Sequence, residues 1–408
     1  MDVDAHRRAI RATGGRVGRG LTDMTRRLRV GLSAHLASWG TTYRSAGVSR
    51  YVQNLIPPLS REPSVDLIAF VGGDATPPDD TADLDTATII RTTLPTHRPF
   101  VRIAWEQALS GAACAAYGVE LYHGPAYALP IAGRRPMVVT VHDLSFERHP
   151  AMFNRGNRLY LRLMTRLAAR KARRIIAVSE FTRDELRATL GVPPDRVDVV
   201  HNGIDTRFRP GARDEVEAFR TAKSLPDRFV LYLGTLEPRK NLVTLVRAFA
   251  RGRSEWPEGT ALVLAGGPGW QYQAILAEID RLGLRDRVIM PGYVNLDEQP
   301  LWYSAAAAFA YPSRYEGFGL PPLEAMACGT PVVCANESSL PEVVGDAAIQ
   351  VAPTDEVGMA RAIGSILRDD DLRRRLSEAG RDRAARFSWT AAAAATARVY
   401  ERAFEAKR

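Results

Sequence analysis

Two glutamates, Glu316 and Glu324, flank Gly-Phe-Gly-Leu-Pro-Pro in the stretch YPSRYEGFGLPPLEAMACGTPVV, residues 311–333. Carboxylates accept hydrogen bonds from paired hydroxyls, and sugars and riboses present hydroxyls in pairs. Gly317 and Gly319 allow a close approach of backbone to ligand. A helix starting just after them would offer free N–H groups and the positive end of its dipole. Phosphate over those amides with hydroxyls on both glutamates describes a sugar nucleotide. Glu324 taken alone would serve equally as a first-turn carboxylate on the helix dipole. A second motif, LGTLEPRKN, carries the adjacent cations Arg239 and Lys240, which suit a diphosphate, although such pairs are common on surfaces. His142 and Asp143 end the run MVVTVHD, and His123 lies in LYHGP after another strand. An imidazole at a strand end is a site residue more often than a core one. His123 stands between a structural and an acceptor-side role, and Asp143 between capping a turn and touching an acceptor.

These residues need elements to position them. The apolar run ending at Pro312 reads as a buried strand, and the proline pair Pro321-Pro322 suits a first helical turn. The helix is expected over residues 323–328, with Gly329 at its C-cap and Pro331 barring continuation. From Leu28 onward, short β-branched runs alternate with helical stretches. Strands are expected at 28–34, 65–70, 137–143, 174–179 and 197–205, then at 229–235, 261–267, 287–293, 307–313 and 331–336. Continuous apolar strands separated by helices imply parallel sheets covered on both faces. Ten strands fit two doubly wound units better than one open sheet. The expected division is a disordered basic extension (1–27), an N-terminal acceptor-side Rossmann-like domain (28–206), a linker (207–227), a C-terminal nucleotide-sugar-binding Rossmann-like domain (228–388) and a C-terminal helix (389–408). Ligands of such sheets bind outside the carboxyl ends of the strands, and the motifs above follow strands.

The chain of 408 residues is long enough for two cores. Its three cysteines, Cys114, Cys328 and Cys334, form no C-x-x-C and suggest neither a disulfide framework nor a thiolate metal site. A reducing cytoplasm fits, and no apolar run approaches membrane-spanning length or a secretory h-region. Net charge is +9, unevenly spread. Residues 1–27 hold seven arginines and three aspartates, with Met24 an alternative start. A second basic block, 155–174, has eight positive residues and no acid, with Arg155, Arg158, Arg162, Arg166 and Arg170 recurring on one helical face beside Leu159, Leu163 and Leu167. It reads either as a solvated face or as a patch that meets a phosphorylated acceptor or, peripherally, anionic lipid headgroups on the inner face of the plasma membrane. Without aromatic interleaving or a binding motif, nucleic acid is not expected.

Together the motifs resemble the GT-B glycosyltransferases, in particular the large retaining family 4 with its bacterial mannosyltransferase-like branch. The likeness covers about residues 28–406, and Glu316 with Glu324 is its most specific element. It implies the GT-B fold: two Rossmann-like domains facing across a cleft, with the last helix crossing back onto the first domain. By resemblance, Glu316 binds donor hexose hydroxyls and Glu324 the ribose, while Gly317, Phe318, Gly319 and Leu320 give N–H groups to sugar and phosphate. Lys240 and Arg239 neutralise the diphosphate, although Gly234-Thr235 stand where many members carry an arginine. His142 lies near the sugar, Gly47 approaches the diphosphate, and Tyr293 with Val294 lines the base pocket. The donor implied is GDP-mannose, with UDP-hexoses open. The acceptor implied is a glycan or lipid-linked glycan.

The same resemblance implies retention by front-face substitution, because it places Glu316 on remote hydroxyls, and a covalent route needs a carboxylate below the anomeric carbon. No cofactor and no metal are expected; Asp2-Val-Asp4 and Asp83-Leu-Asp85 lie in polar, loop-like stretches. A dinucleotide-dependent oxidoreductase would want G-x-G-x-x-G after its first strand, which AGGPGW does not supply. An epimerase or hydrolase on the same fold would act without an acceptor, and a non-catalytic binding protein would not need Glu316, Glu324, Lys240 and His142 together.

Overall fold

The computed structural model describes residues 26–38, 47–72 and 86–406. Seven parallel strands make the first sheet: β1 (Leu28–Ser33), β2 (Val65–Val71), β3 (Thr88–Arg91), β4 (Leu121–Gly124), β5 (Met137–Val141), β6 (Arg174–Ala177) and β7 (Val197–Val199), in the order β3-β2-β1-β4-β5-β6-β7. Six parallel strands make the second: β8 (Phe229–Leu233), β9 (Ala261–Ala265), β10 (Val288–Gly292), β11 (Ala308–Tyr311), β12 (Val332–Ala335) and β13 (Ile349–Val351), in the order β10-β9-β8-β11-β12-β13. In each sheet the winding reverses once, between β1 and β4 and between β8 and β11. A crevice opens at such a switch, and both switches face the same cleft. The chain is thus α/β with two doubly wound Rossmann-like domains.

Strands β8, β9, β11 and β12 are buried along their whole length, as sheets covered on both faces demand. Three strands fell outside the sequence expectation. β3 and β4 have four residues each and β13 three, too short for an apolar run to stand out. The expected strand over 197–205 ends at Val199; its remainder is a connection touching the C-terminal helix through a single bridge, Ile204 to Ser388.

The stretch expected as linker is more ordered than that. It holds a helix, Arg213–Ala222, and Phe208 and Phe219 are buried in the core of the second domain. The last helix, Trp389–Glu405, packs on the first domain: Ala393, Val399, Tyr400 and Ala403 share a core with β1 and β2. Of the basic extension, residues 1–25 lie outside the described residues. Arg27 is tied down, its guanidinium donating to the Val65 carbonyl at 2.9 Å and the Ser60 carbonyl at 3.3 Å. No described helix is long and apolar enough to cross a membrane.

Candidate active site

After β11 the chain turns through residues 312–319 into the helix Leu320–Ala327, which the sequence places three residues later. Gly319 is its N-cap at φ 110°, a conformation that favours glycine. Glu324 is therefore in the second turn, which weakens its reading as a dipole partner. Pro321 and Pro322 occupy the first turn and bring no N–H, so Leu320 is the amide that turn presents. The loop's carbonyls are taken from behind. Ser339 Oγ donates to the carbonyls of Glu316 and Phe318, at 2.9 and 2.7 Å, and Ser179 Oγ donates to that of Gly317 at 2.6 Å. The amide side of Gly317, Phe318, Gly319 and Leu320 is left to the cleft that these residues line.

The cleft holds about 540 Å³ and is lined by both domains. Its most heavily bonded charged group is Glu316. Oε1 accepts from Lys240 Nζ at 2.6 Å, from Ser313 Oγ at 2.6 Å and from the Tyr311 hydroxyl at 3.0 Å. Oε2 accepts from Arg239 at 3.0 Å. Burial alone would raise this carboxyl, but Arg239 and Lys240 outweigh it and hold it at about 2. Arg239, despite burial, is held above its ordinary value by Glu316 and Glu237. Lys240 is pulled down by burial and by Arg239 beside it. Glu324 accepts from Arg50 at 2.6 Å on one oxygen and from the Tyr303 hydroxyl at 3.1 Å on the other.

From the first domain, His142 reaches the cleft at the end of β5. Its Nε2 lies 2.8 Å from the Pro125 carbonyl, which can only accept. Nε2 therefore carries the hydrogen and Nδ1 its lone pair. Burial lowers the imidazole, against the pull of Pro125 and Asp143, which favours the neutral ring and leaves Nδ1 able to accept a hydrogen bond from a hydroxyl. The domains touch here: a Cβ added to Gly317 would stand 1.8 Å from the His142 carbonyl oxygen, so only glycine lets the loop pass. Tyr315 completes the closure, its hydroxyl accepting from the Leu144 N–H at 2.9 Å and donating to buried Glu185.

Gly47, Arg239, Lys240, His142, Asp143, Glu316, Gly317, Phe318, Gly319, Leu320, Glu324, Tyr293 and Val294 all line this one cleft. Asp143 is engaged locally, accepting from the Ser145 N–H at 2.8 Å and its hydroxyl at 2.6 Å, the capping role. His123 requires a correction. It is on β4 rather than after it, and fully buried, with Nδ1 at 2.7 Å from the Tyr400 hydroxyl and Nε2 at 2.9 Å from Thr140 Oγ1. It ties the C-terminal helix to the first sheet and cannot meet an acceptor. Both D-x-D stretches lie outside the described residues.

Sequence reasoning missed several cleft residues. Arg50 follows Gly47 by three positions in helix α1 (Val48–Ser60), but one arginine in an arginine-rich chain carries no signal. Glu237 sat inside the quoted LGTLEPRKN and was passed over beside its cations. Asn202 and Gln299 each keep a buried amide oxygen without a partner among the described residues, and both line the cleft.

Residues 45–208 match Glycosyltransferase Family 4, and residues 214–383 match Glycosyl transferases group 1. The O-antigen chain mannosyltransferase B of Escherichia coli is 34% identical over 286 residues, 70% of this chain and 75% of that protein. The chain is a GT-B glycosyltransferase of family 4. Among solved structures, this glycosyltransferase is similar to the sucrose-phosphate synthase from Thermosynechococcus elongatus, with a TM-score of 0.75 and 25% identity, covering 94% of this chain and 100% of that one. Anabaena HepE, solved in complex with UDP and glucose, shares the fold with a TM-score of 0.70 at 21% identity, over 91% of this chain and 99% of that one.

Proposed function

We propose that the protein transfers a hexose from a nucleotide-diphosphate sugar to a glycan or lipid-linked glycan with retention of configuration. The observation that carries this is the paired arrangement in one cleft: Glu324 where ribose hydroxyls would sit, and Glu316 with Arg239 and Lys240 where hexose and diphosphate would meet. A diphosphate drawing Lys240 and Arg239 to itself would free the oxygens of Glu316 for hexose hydroxyls. His142 Nδ1 would accept one further hydroxyl. In the transfer, the bond from the anomeric carbon to the diphosphate oxygen breaks and the bond to the acceptor oxygen forms on the same face. The acceptor proton passes to the departing diphosphate. Fixed positive charge on that leaving group would carry much of the rate. Glu316, tied to two cations, is poorly placed to act as a nucleophile, which favours this route over a covalent one. No cofactor beyond the donor enters this scheme.

The proposed donor is GDP-mannose, supported by the likeness to an O-antigen mannosyltransferase. A UDP-hexose is the second reading, favoured by the fold shared with HepE. A lipid-linked acceptor is supported by helix α2 (Arg155–Lys171), where Leu159 and Leu163 stand exposed among arginines. Such a face suits peripheral contact with anionic lipid, on the cytoplasmic side, where nucleotide sugars are held.

Thermal shift against GDP, UDP and ADP tests the reading, with Glu324→Ala as control. Ligand at about 100 times its dissociation constant stabilises by roughly 2.7 kcal/mol, a shift of a few degrees. A shift with GDP alone, lost in the variant, supports the mannosyl donor; one with UDP alone moves the donor to a UDP-hexose. No shift with any overturns the nucleotide-sugar reading.

A further inference from the structure

Arg50 is the least expected charge in the cleft. It belongs to the first domain, in the first turn of helix α1, yet its guanidinium donates to Glu324 on the second domain at 2.6 Å. Both side chains are shielded, at 13% and 3% exposure, so this is a desolvated pair rather than a surface contact. The guanidinium carbon also stands 5.4 Å from the ring centroid of Phe208, in the connection between the domains. The pair therefore joins both domains and their connection at one point. It occupies the carboxylate that, in the proposed function, must receive the ribose.

Charge balance gives the pair a second consequence. Arg239 is shared between Glu237 and Glu316, and Lys240 is held by Glu316. With Arg50 on Glu324 and Asp143 also lining the cleft, three cations face four carboxylates, and an incoming diphosphate adds at least two negative charges. Ribose hydroxyls arriving at Glu324 would release a third cation, the Arg50 guanidinium. Arg50 lines the cleft together with Gly47 and the N-terminal end of α1, opposite Arg239 and Lys240. A released guanidinium matches phosphate oxygens in geometry and charge.

We propose that Arg50 is an exchange residue for the donor, which closes the empty cleft on Glu324 and passes to the diphosphate when the ribose takes that carboxylate. The inference rests on the nucleotide-sugar reading and adds to it a binding residue on the opposite domain. It makes nucleoside and nucleoside diphosphate respond to one substitution with opposite signs. A nucleoside must displace Arg50 and gives it nothing in return, whereas a diphosphate provides its new partner.

Titration calorimetry at pH 8 with GDP, UDP and ADP, and with guanosine, uridine and adenosine, compares wild type with Arg50→Gln. For the base that binds, the diphosphate is expected to weaken on the order of 10- to 100-fold, the worth of one charged hydrogen bond. The matching nucleoside is expected to tighten several-fold. Arg50→Lys, which retains a cation without the planar fork, should move both constants in the same directions by less. A substitution that weakens both ligands together, or changes neither, overturns the exchange and leaves the nucleotide-sugar reading standing. Wild type that binds no nucleoside diphosphate overturns both.

Discussion

The two walls of the cleft are built in different ways. On the second domain, Glu316, Arg239, Lys240, Ser313 and Tyr311 saturate one another within a few ångströms, so their charges are fixed before any ligand arrives. On the first domain, the contribution is sparse: a neutral His142, one guanidinium, and hydroxyls of Ser179 and Thr182 that grip the Gly317 carbonyl at 2.6 and 3.2 Å. One wall is a preorganised electrostatic site, and the other is a cover that closes by hydrogen bonds to its backbone. Preorganised charge acts on the transition state with little reorganisation, so under the proposed function the difference assigns most of the chemistry to the second domain.

The largest effect should break or confirm that assignment. Lys240→Ala is expected to lower turnover on the order of 10²- to 10³-fold, as loss of a fixed charge-stabilising donor does. Melting temperature should change little, because Glu316 keeps Arg239, Ser313 and Tyr311. His142→Ala, on the sparser wall, should cost less. Steady-state release of nucleoside diphosphate from the donor, measured for both variants, checks the pair. Equal losses would mean that the walls share the chemistry.

The contrast extends to pH. Glu316 is held at about 2, below the ordinary carboxyl value of 4.5, so its contribution to stability is complete above pH 4.5 and fades as pH falls from there towards 2. In the first domain Glu106 behaves oppositely. It sits on a π-helical turn, Trp105–Leu109, and burial pushes it up to about 7, against the pull of Arg102. Its neutral form suits the fold, so stability is lost as pH rises from 4.5 to about 7. Glu106→Gln, which cannot ionise, is expected to gain on wild type across that window by about 2–3 kcal/mol. Urea unfolding at pH 5 and pH 7.5 reads this directly. A gap that does not change with pH would show that Glu106 is ionised in the fold.

The same asymmetry explains what sequence reasoning could see. The second domain's motifs are contiguous: Glu316 to Glu324 is one loop and helix, and Arg239-Lys240 one turn, so residue type and spacing carry the chemistry. Its strands β8, β9 and β11 are apolar runs that announce themselves. The first domain's partners are remote. Arg50 meets Glu324 across 274 positions and Tyr315 meets Glu185 across 130, and nothing local marks either pair. For His123 in LYHGP, the sequence leaves a structural and an acceptor-side role equally open. Only the fold shows the C-terminal helix lying over it, with the Tyr400 hydroxyl on its ring.

A smaller effect sharpens the view of the first domain as a cover. Tyr315→Phe removes the acceptor for the Leu144 N–H and a donor to Glu185, while Glu185 keeps Arg148 at 2.5 Å. The expected cost is about 1–2 kcal/mol, borne by the contact between domains. Hydrogen exchange should rise at residues 142–146 and 315–318 and stay unchanged in β8 and β9. Uniform destabilisation of both sheets would argue against separable walls.

The smallest effect on stability concerns an outer helix of the first domain. Helix α2 buries Met164, Thr165, Ala168 and Ala169, while Leu159 and Leu163 are 67% and 54% exposed. Its arginines are not uniformly free. Arg162 and Arg166 share Glu147 at 2.9 and 3.2 Å, and Arg158 donates to the Phe146 carbonyl at 3.2 Å, whereas Arg155 and Arg170 are exposed. A purely solvated face would gain nothing from two exposed leucines, whereas a lipid interface would bury both. Replacing Leu159 and Leu163 together with serine should therefore change unfolding stability by less than about 0.5 kcal/mol. The same change should weaken sedimentation with vesicles containing anionic lipid, by about thirtyfold if each leucine contributes roughly 1 kcal/mol at the interface. Arg155→Ala with Arg170→Ala should weaken it further, and salt should weaken wild type in the same way. Vesicle binding that survives both pairs of substitutions would remove this helix from the membrane contact and leave it a solvated face.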